Sequence, residues 1–80
     1  MSGSGTIASK VVPDVDARGL KCPWPALRLA RALRESDRAV IVADDPIAPV
    51  EIVALASEQG WRVCDVETVF GPGYLVARYS

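Results

Sequence analysis

The thiols of Cys22 and Cys64 are the groups best suited to covalent chemistry in this sequence, which contains no histidine. Cys22 stands in Gly19-Leu20-Lys21-Cys22-Pro23-Trp24-Pro25, between a glycine and two prolines and directly before an amphipathic stretch. Gly19 allows a turn with positive φ. Pro23 suits a first helical position, because its missing N–H has no intrahelical partner there. Cys22 is therefore expected at or beside a helix N-cap, where unpaired amides and the macrodipole favour a thiolate and lower the pKa below the usual ~8.5. Arg18 and Lys21 are close in sequence and act in the same direction. The prolines stiffen the helix entry and hold the sulfur outward. The competing reading is a small buried hydrophobe that tolerates the cap position. Cys64, between Val63 and Asp65 in an apolar run, has no glycine turn, cap or proline to activate it and reads as a packing residue.

The missing histidine removes the basic partner that cysteine hydrolases use. No second cysteine lies within a turn of Cys22, as a C-x-x-C dithiol would require. Two thiols fall short of the four ligands of a structural zinc site, so neither a metal nor a cofactor is expected. Carrying sulfur as a persulfide, in contrast, needs one accessible thiolate and is harmed by a neighbouring thiol, which would attack the persulfide and release the sulfur. A solitary, exposed cysteine suits that chemistry.

The elements that must position Cys22 can be read from periodicity. A short β-branched run ending in Asp/Gly turn residues predicts a first strand around Val11 to Asp16, with Pro13 marking an edge position. Ala26, Leu29, Ala30 and Leu33 fall at i, i+3, i+4 and i+7, a helical stripe with Arg28, Arg31 and Arg34 on the other side. Arg38-Ala39-Val40-Ile41-Val42-Ala43 reads as a buried strand closed by Asp44 and Asp45, either of which can cap a second helix. That helix carries Ile52, Leu55 and Ala56 on one face, keeps its prolines in the first turn and stops at Gly60. Two further strands follow, joined by a turn at Gly71-Pro72-Gly73. The expected fold is a two-layer α/β sandwich of order βαβαββ, a mixed four-stranded sheet with both helices on one face.

Eighty residues, half of them hydrophobic and 24% charged, make one small domain with little room for a deep cleft. The Gly/Ser-rich start, residues 1–10, is expected to be a flexible tail and residues 11–80 the folded domain. No apolar run is long enough to cross a bilayer and no signal-peptide pattern is present, so a reducing, cytoplasmic setting is expected, without membrane attachment. Net charge is −1. Seven of nine Lys and Arg lie at or before Arg38, and six of ten acids at or after Asp44. A lopsided, solvated surface accounts for this, and stable nucleic-acid binding is not expected.

Asp16-Ala17-Arg18-Gly19-Leu20-Lys21-Cys22-Pro23-Trp24-Pro25 resembles the signature of the TusA/SirA-like family of small sulfur-carrier proteins, Cys-Pro-x-Pro at the start of the first helix. Val40-Ile41-Val42-Ala43-Asp44-Asp45-Pro46 resembles the family's second strand and its Asp-Asp-Pro entry to the second helix. The resemblance implies a monomeric sulfurtransferase in which Cys22 accepts sulfane sulfur as a persulfide. The donor would be a cysteine desulfurase or a rhodanese-like protein, and the next recipient an acceptor protein. Transfer-RNA thiolation, molybdenum-cofactor assembly and sulfur oxidation all use such relatives. Asp16, Gly19, Pro23, Pro25, Asp44, Asp45 and Pro46 match motif positions that place the cysteine, while Arg18, Lys21, Trp24, Arg28 and Arg31 are candidates for partner binding. Trp24 reads equally as an interface anchor or as a lid over the first strand. Where the transfer-RNA branch has Arg-Asp-Ile after its Asp-Asp-Pro, this chain has Val50-Glu51-Ile52, which lacks the base but keeps an acid. The alternative function is a non-catalytic regulatory or protein-interaction domain with a redox-sensitive cysteine.

Overall fold

The computed structural model describes residues 10–78. All of the expected tail except Lys10 lies outside the described residues. The elements follow in the order β1 (Val15–Ala17), α1 (Trp24–Glu35), β2 (Arg38–Ala43), α2 (Ala48–Gln59), β3 (Arg62–Thr68) and β4 (Gly71–Ala77). One mixed sheet has the order β1-β2-β4-β3, with β1 parallel to β2 and the other pairs antiparallel. Alternate strand residues Val15, Ala17, Ala39, Ile41 and Val76 share one core with Leu29 and Leu33 of α1 and Ala48 and Ile52 of α2. Both helices therefore cover the same face, and the architecture is a two-layer α/β sandwich.

The α1 stripe packs as its period requires: Pro25, Ala26, Leu29 and Leu33 are buried, and Arg28, Arg31 and Arg34 are exposed. In α2, Ile52 and Ala56 are buried, Leu55 is half-buried, and Gly60 ends the helix in the left-handed region at φ 76°. Only glycine takes that conformation without a steric penalty.

Three expectations are corrected. The first strand is shorter than Val11 to Asp16, because Pro13 has no N–H to donate. Asp14 instead accepts the Val40 N–H through Oδ2 (2.8 Å), and Val11 forms an isolated parallel bridge with Thr68. The hairpin turns at Val69-Phe70, with Gly71-Pro72-Gly73 inside β4. There the Thr68 hydroxyl donates to the Gly71 carbonyl (2.7 Å) and accepts the Phe70 N–H (3.1 Å), closing the turn without a glycine at its centre. Gly73 is needed for close approach, since a Cβ there would lie 2.7 Å from the Ile41 carbonyl oxygen and 2.8 Å from Thr68 Cγ2. Finally, neither Asp44 nor Asp45 is the N-cap of α2, which is Ile47 with no side-chain cap; Asp44 is used elsewhere, and Asp45 reaches the helix only through the Ile47 N–H.

Candidate functional site

Because β1 and β2 are parallel neighbours, the loops that leave them emerge side by side at one end of the sheet. The first loop carries Cys22 and the second carries Asp44 and Asp45. The Gly19 N–H donates to Asp44 Oδ1 (2.9 Å) and the Cys22 N–H donates to Asp45 Oδ2 (2.7 Å). The other oxygen of Asp45 accepts the Ile47 N–H (3.1 Å). One carboxylate thus ties the cysteine loop to the entry of α2, which is the physical use of an Asp-Asp pair that sequence reasoning assigned to helix capping. Those two N–H groups hold the Asp45 carboxyl below its ordinary pKa. A depressed carboxyl stabilises the fold above its unfolded pKa and loses that contribution only as pH falls through the depressed value, so the tie is intact at neutral pH.

Cys22 is exposed and stands immediately before Pro23, the N-cap of α1; Trp24 and Pro25 follow as the first helical residues. The Cys22–Pro23 peptide is cis. Pro25 is fully buried and anchors the helix entry, while Gly19, at φ 82°, makes the turn out of β1. Gly19, Leu20, Lys21, Asp44, Asp45 and Pro46 line a shallow cleft of about 210 Å³ beside the cysteine.

The electrostatics at Cys22 run opposite to the expectation. Partial desolvation, the charge and hydrogen bond of Glu51, and the charge of Asp45 push the thiol above its ordinary pKa. Desolvation and the charges of Glu51 and Asp45, from the other crossover, set this direction, opposite to the one a helix N-terminus would give. Arg18 does not oppose them: it forms a two-pronged pair with Asp16 (2.9 Å for both contacts) and lies 3.7 Å over the Phe70 ring. That pairing lowers the Asp16 carboxyl to about 2. Sequence reasoning saw Glu51 only as the acid kept in Val50-Glu51-Ile52 and gave it no place beside Cys22. Alkylation of Cys22 by iodoacetamide, followed in a Cys64→Ser protein, is therefore expected to rise at a higher pH than for a free cysteine. Full reactivity below neutral pH would contradict the acidic setting.

The remaining candidates are spread around this centre. Trp24 is 56% exposed, so it is no lid over β1, and Leu27 beside it is 51% exposed. Arg28 and Arg31 share a shallow groove with Asp14 and Glu35, and a second with Trp24 and Arg34. Cys64 is exposed rather than packed. It pairs with Leu75 next to the Val63–Val76 pair, and the alternation of a strand turns it away from the helices. Among the described residues no group of three or more His, Cys, Asp or Glu could hold a metal ion, and no helix is long and apolar enough to cross a membrane.

The family model described as "Sulfurtransferase TusA" matches residues 14–77, from the Asp14 that joins β1 to β2 through to the end of β4. The chain belongs to the TusA family. A curated protein of Archaeoglobus fulgidus, named "Putative sulfur carrier protein", is 38% identical over 57 residues, which is 68% of this chain and 74% of that protein. TusA membership and this relative support a sulfur carrier role, and with it interaction with proteins that give and take sulfur.

Proposed function

We propose that the protein is a sulfur-relay carrier in which Cys22 accepts sulfane sulfur as a persulfide and passes it to an acceptor protein. The observation that carries this reading is the exposed Cys22 thiol held by its own N–H on Asp45 at the mouth of α1, in a chain of the TusA family. A carrier must offer its sulfur to partners of different shape, so an exposed sulfur on a stiff backbone serves it better than a deep cleft. Gly19, Pro23 and Pro25 set the course of the loop, Asp44, Asp45 and Pro46 hold it from the other crossover, and Asp16 restrains Arg18. A cysteine desulfurase or rhodanese-like protein is the donor class we favour. Transfer-RNA thiolation, molybdenum-cofactor assembly and sulfur oxidation are the routes such a relay could serve. The exposed surface around Cys22, with Lys21, Trp24, Arg28 and Arg31, is where we place the partners. Two free thiols fit a reducing, cytoplasmic setting.

The test is to incubate the reduced protein with a cysteine desulfurase, its pyridoxal phosphate and cysteine, and then measure the intact mass. The protein should gain the mass of one or more sulfur atoms, mapped to Cys22. A Cys64→Ser variant should load equally, because Cys64 lies inside β3 without the loop that presents Cys22. Loading confined to Cys64, or lost in Cys64→Ser with the fold intact, would overturn the single-thiol carrier.

A further inference from the structure

The large apolar side chains that this fold leaves in water gather beside Cys22. Trp24 and Leu27 stand in the first turn of α1, Ile47 is the N-cap of α2 and Val50 lies in its first turn. All four are exposed, Ile47 to 50% and Val50 to 66%. Because β1 and β2 are parallel, both helices start at the end of the sheet where the cysteine loop emerges. The Asp45 carboxylate fixes the spacing between them, since one oxygen takes the Cys22 N–H (2.7 Å) and the other the Ile47 N–H (3.1 Å). Trp24 follows Cys22 by two residues, so apolar groups from both helices flank the thiol. From Val50 the apolar surface continues along α2 through Val53, in a shallow groove of about 580 Å³ shared with Pro49, Ala54 and Ser57.

Between Ala48 and Ser57 the only charged residue of α2 is Glu51, which is half-buried. A helix apolar on its outer side as well as its inner side is suited to burial on both. The charges nearby are largely engaged within the chain: Asp16 holds Arg18, Asp44 takes the Gly19 N–H, and Asp45 takes two N–H groups. Arg28 and Arg31 share their groove with Asp14 and Glu35. Apolar area, more than charge, is what this end of the molecule offers to a partner.

We propose that Trp24, Leu27, Ile47 and Val50, continued by Val53, form the docking surface for the protein that donates sulfur to Cys22, and that this donor presents an apolar face around its persulfide. The inference rests on the carrier reading, with a cysteine desulfurase as the donor. Continuity with the thiol selects this occupant. Sulfur passes to Cys22 only from an atom brought within bonding distance of Sγ, so a protein donor must cover the side chains on either side of it. A small-molecule donor need touch none of them. Trp24 suits the centre of such a contact, tryptophan being enriched among residues that carry binding energy. Phe70 is also exposed, but the Arg18 guanidinium lies 3.7 Å over its ring, and it is left outside the surface.

The test uses Leu27→Ser, Ile47→Ser and Val50→Ser in a Cys64→Ser background, each loaded separately by a cysteine desulfurase with cysteine and by glutathione persulfide. With the desulfurase, KM for the carrier should rise by at least about tenfold in each variant, as for central residues of an interface, and Val50→Leu should keep the wild-type value. With glutathione persulfide, every variant should load Cys22 at the wild-type rate, which also reports an intact cysteine loop. Raising the salt concentration should change the wild-type KM by less than about threefold, because salt screens charges and leaves apolar contacts in place. Variants that load from the desulfurase as readily as wild type would overturn the proposal, as would a salt-driven loss that Arg28→Glu and Arg31→Glu reproduce. Equal losses with both donors would assign these side chains to holding the loop and overturn it too. Wild-type loading by glutathione persulfide but not by the desulfurase would remove the donor for which the surface is proposed. No sulfur on Cys22 from either source would instead overturn the carrier reading itself.

Discussion

Cys22→Ser is expected to gain no sulfur from a cysteine desulfurase under conditions that load the wild-type protein, and to retain the wild-type fold. The loss should be complete, because a hydroxyl can form no persulfide and Cys64 is not held out on a stiff loop. Stability should scarcely change, since Cys22 is exposed and the tie to Asp45 uses its backbone N–H, which serine supplies equally. The same variant separates a carrier from an interaction domain. An adaptor would keep its partner contacts and its cellular effect with serine in place, whereas a carrier would bind its partners and transfer nothing. Persistent loading of Cys22→Ser, at any residue, would move the chemistry away from the loop at the ends of β1 and β2.

Leu29→Ala should have the largest effect on stability. Leu29 is wholly buried on the α1 stripe, sharing the core with Leu33, Ile41, Ile52 and Val76. Truncating a buried leucine costs about 2–5 kcal/mol, depending on how far the site collapses. A domain of this length has about 4–12 kcal/mol in total, at roughly 0.05–0.15 kcal/mol per residue. The variant should therefore unfold at much lower urea concentration with little change in slope. A loss under about 1 kcal/mol would mean that α1 is not clamped to the sheet through this residue. Cys22 would suffer indirectly, because α1 and its buried Pro25 hold one end of the cysteine loop.

How much of this was readable in advance depends on whether the cause is local. The α1 stripe, the left-handed stop at Gly60 and the short apolar strand Arg38–Ala43 were legible because each follows from neighbours a few residues apart, through helical period, backbone sterics and side-chain type. The placement of Cys22 before a helix was legible for the same reason. The hairpin was misread by two residues, since the Gly-Pro-Gly run resembles a turn in isolation. Its true reason for small residues, the approach of the Ile41 backbone to Gly73, comes from β2.

The sequence by itself determined the order of elements, the apolar faces and the single well-presented thiol, because those depend on local propensity and period. Only the tertiary structure decided the thiol's surroundings. The parallel pairing of β1 and β2 brings two crossover loops together, so Asp45 grips the Cys22 backbone and the Glu51 and Asp45 charges push the thiol pKa up. Local reasoning counted the helix dipole, Arg18 and Lys21, and concluded that the thiol is easily ionised. The fold instead commits Arg18 to Asp16 and Phe70 and sets carboxylates against the sulfur, which reverses the sign. Charge interactions act through space, and their outcome at Cys22 is set by which distant residues the sheet pairing makes neighbours.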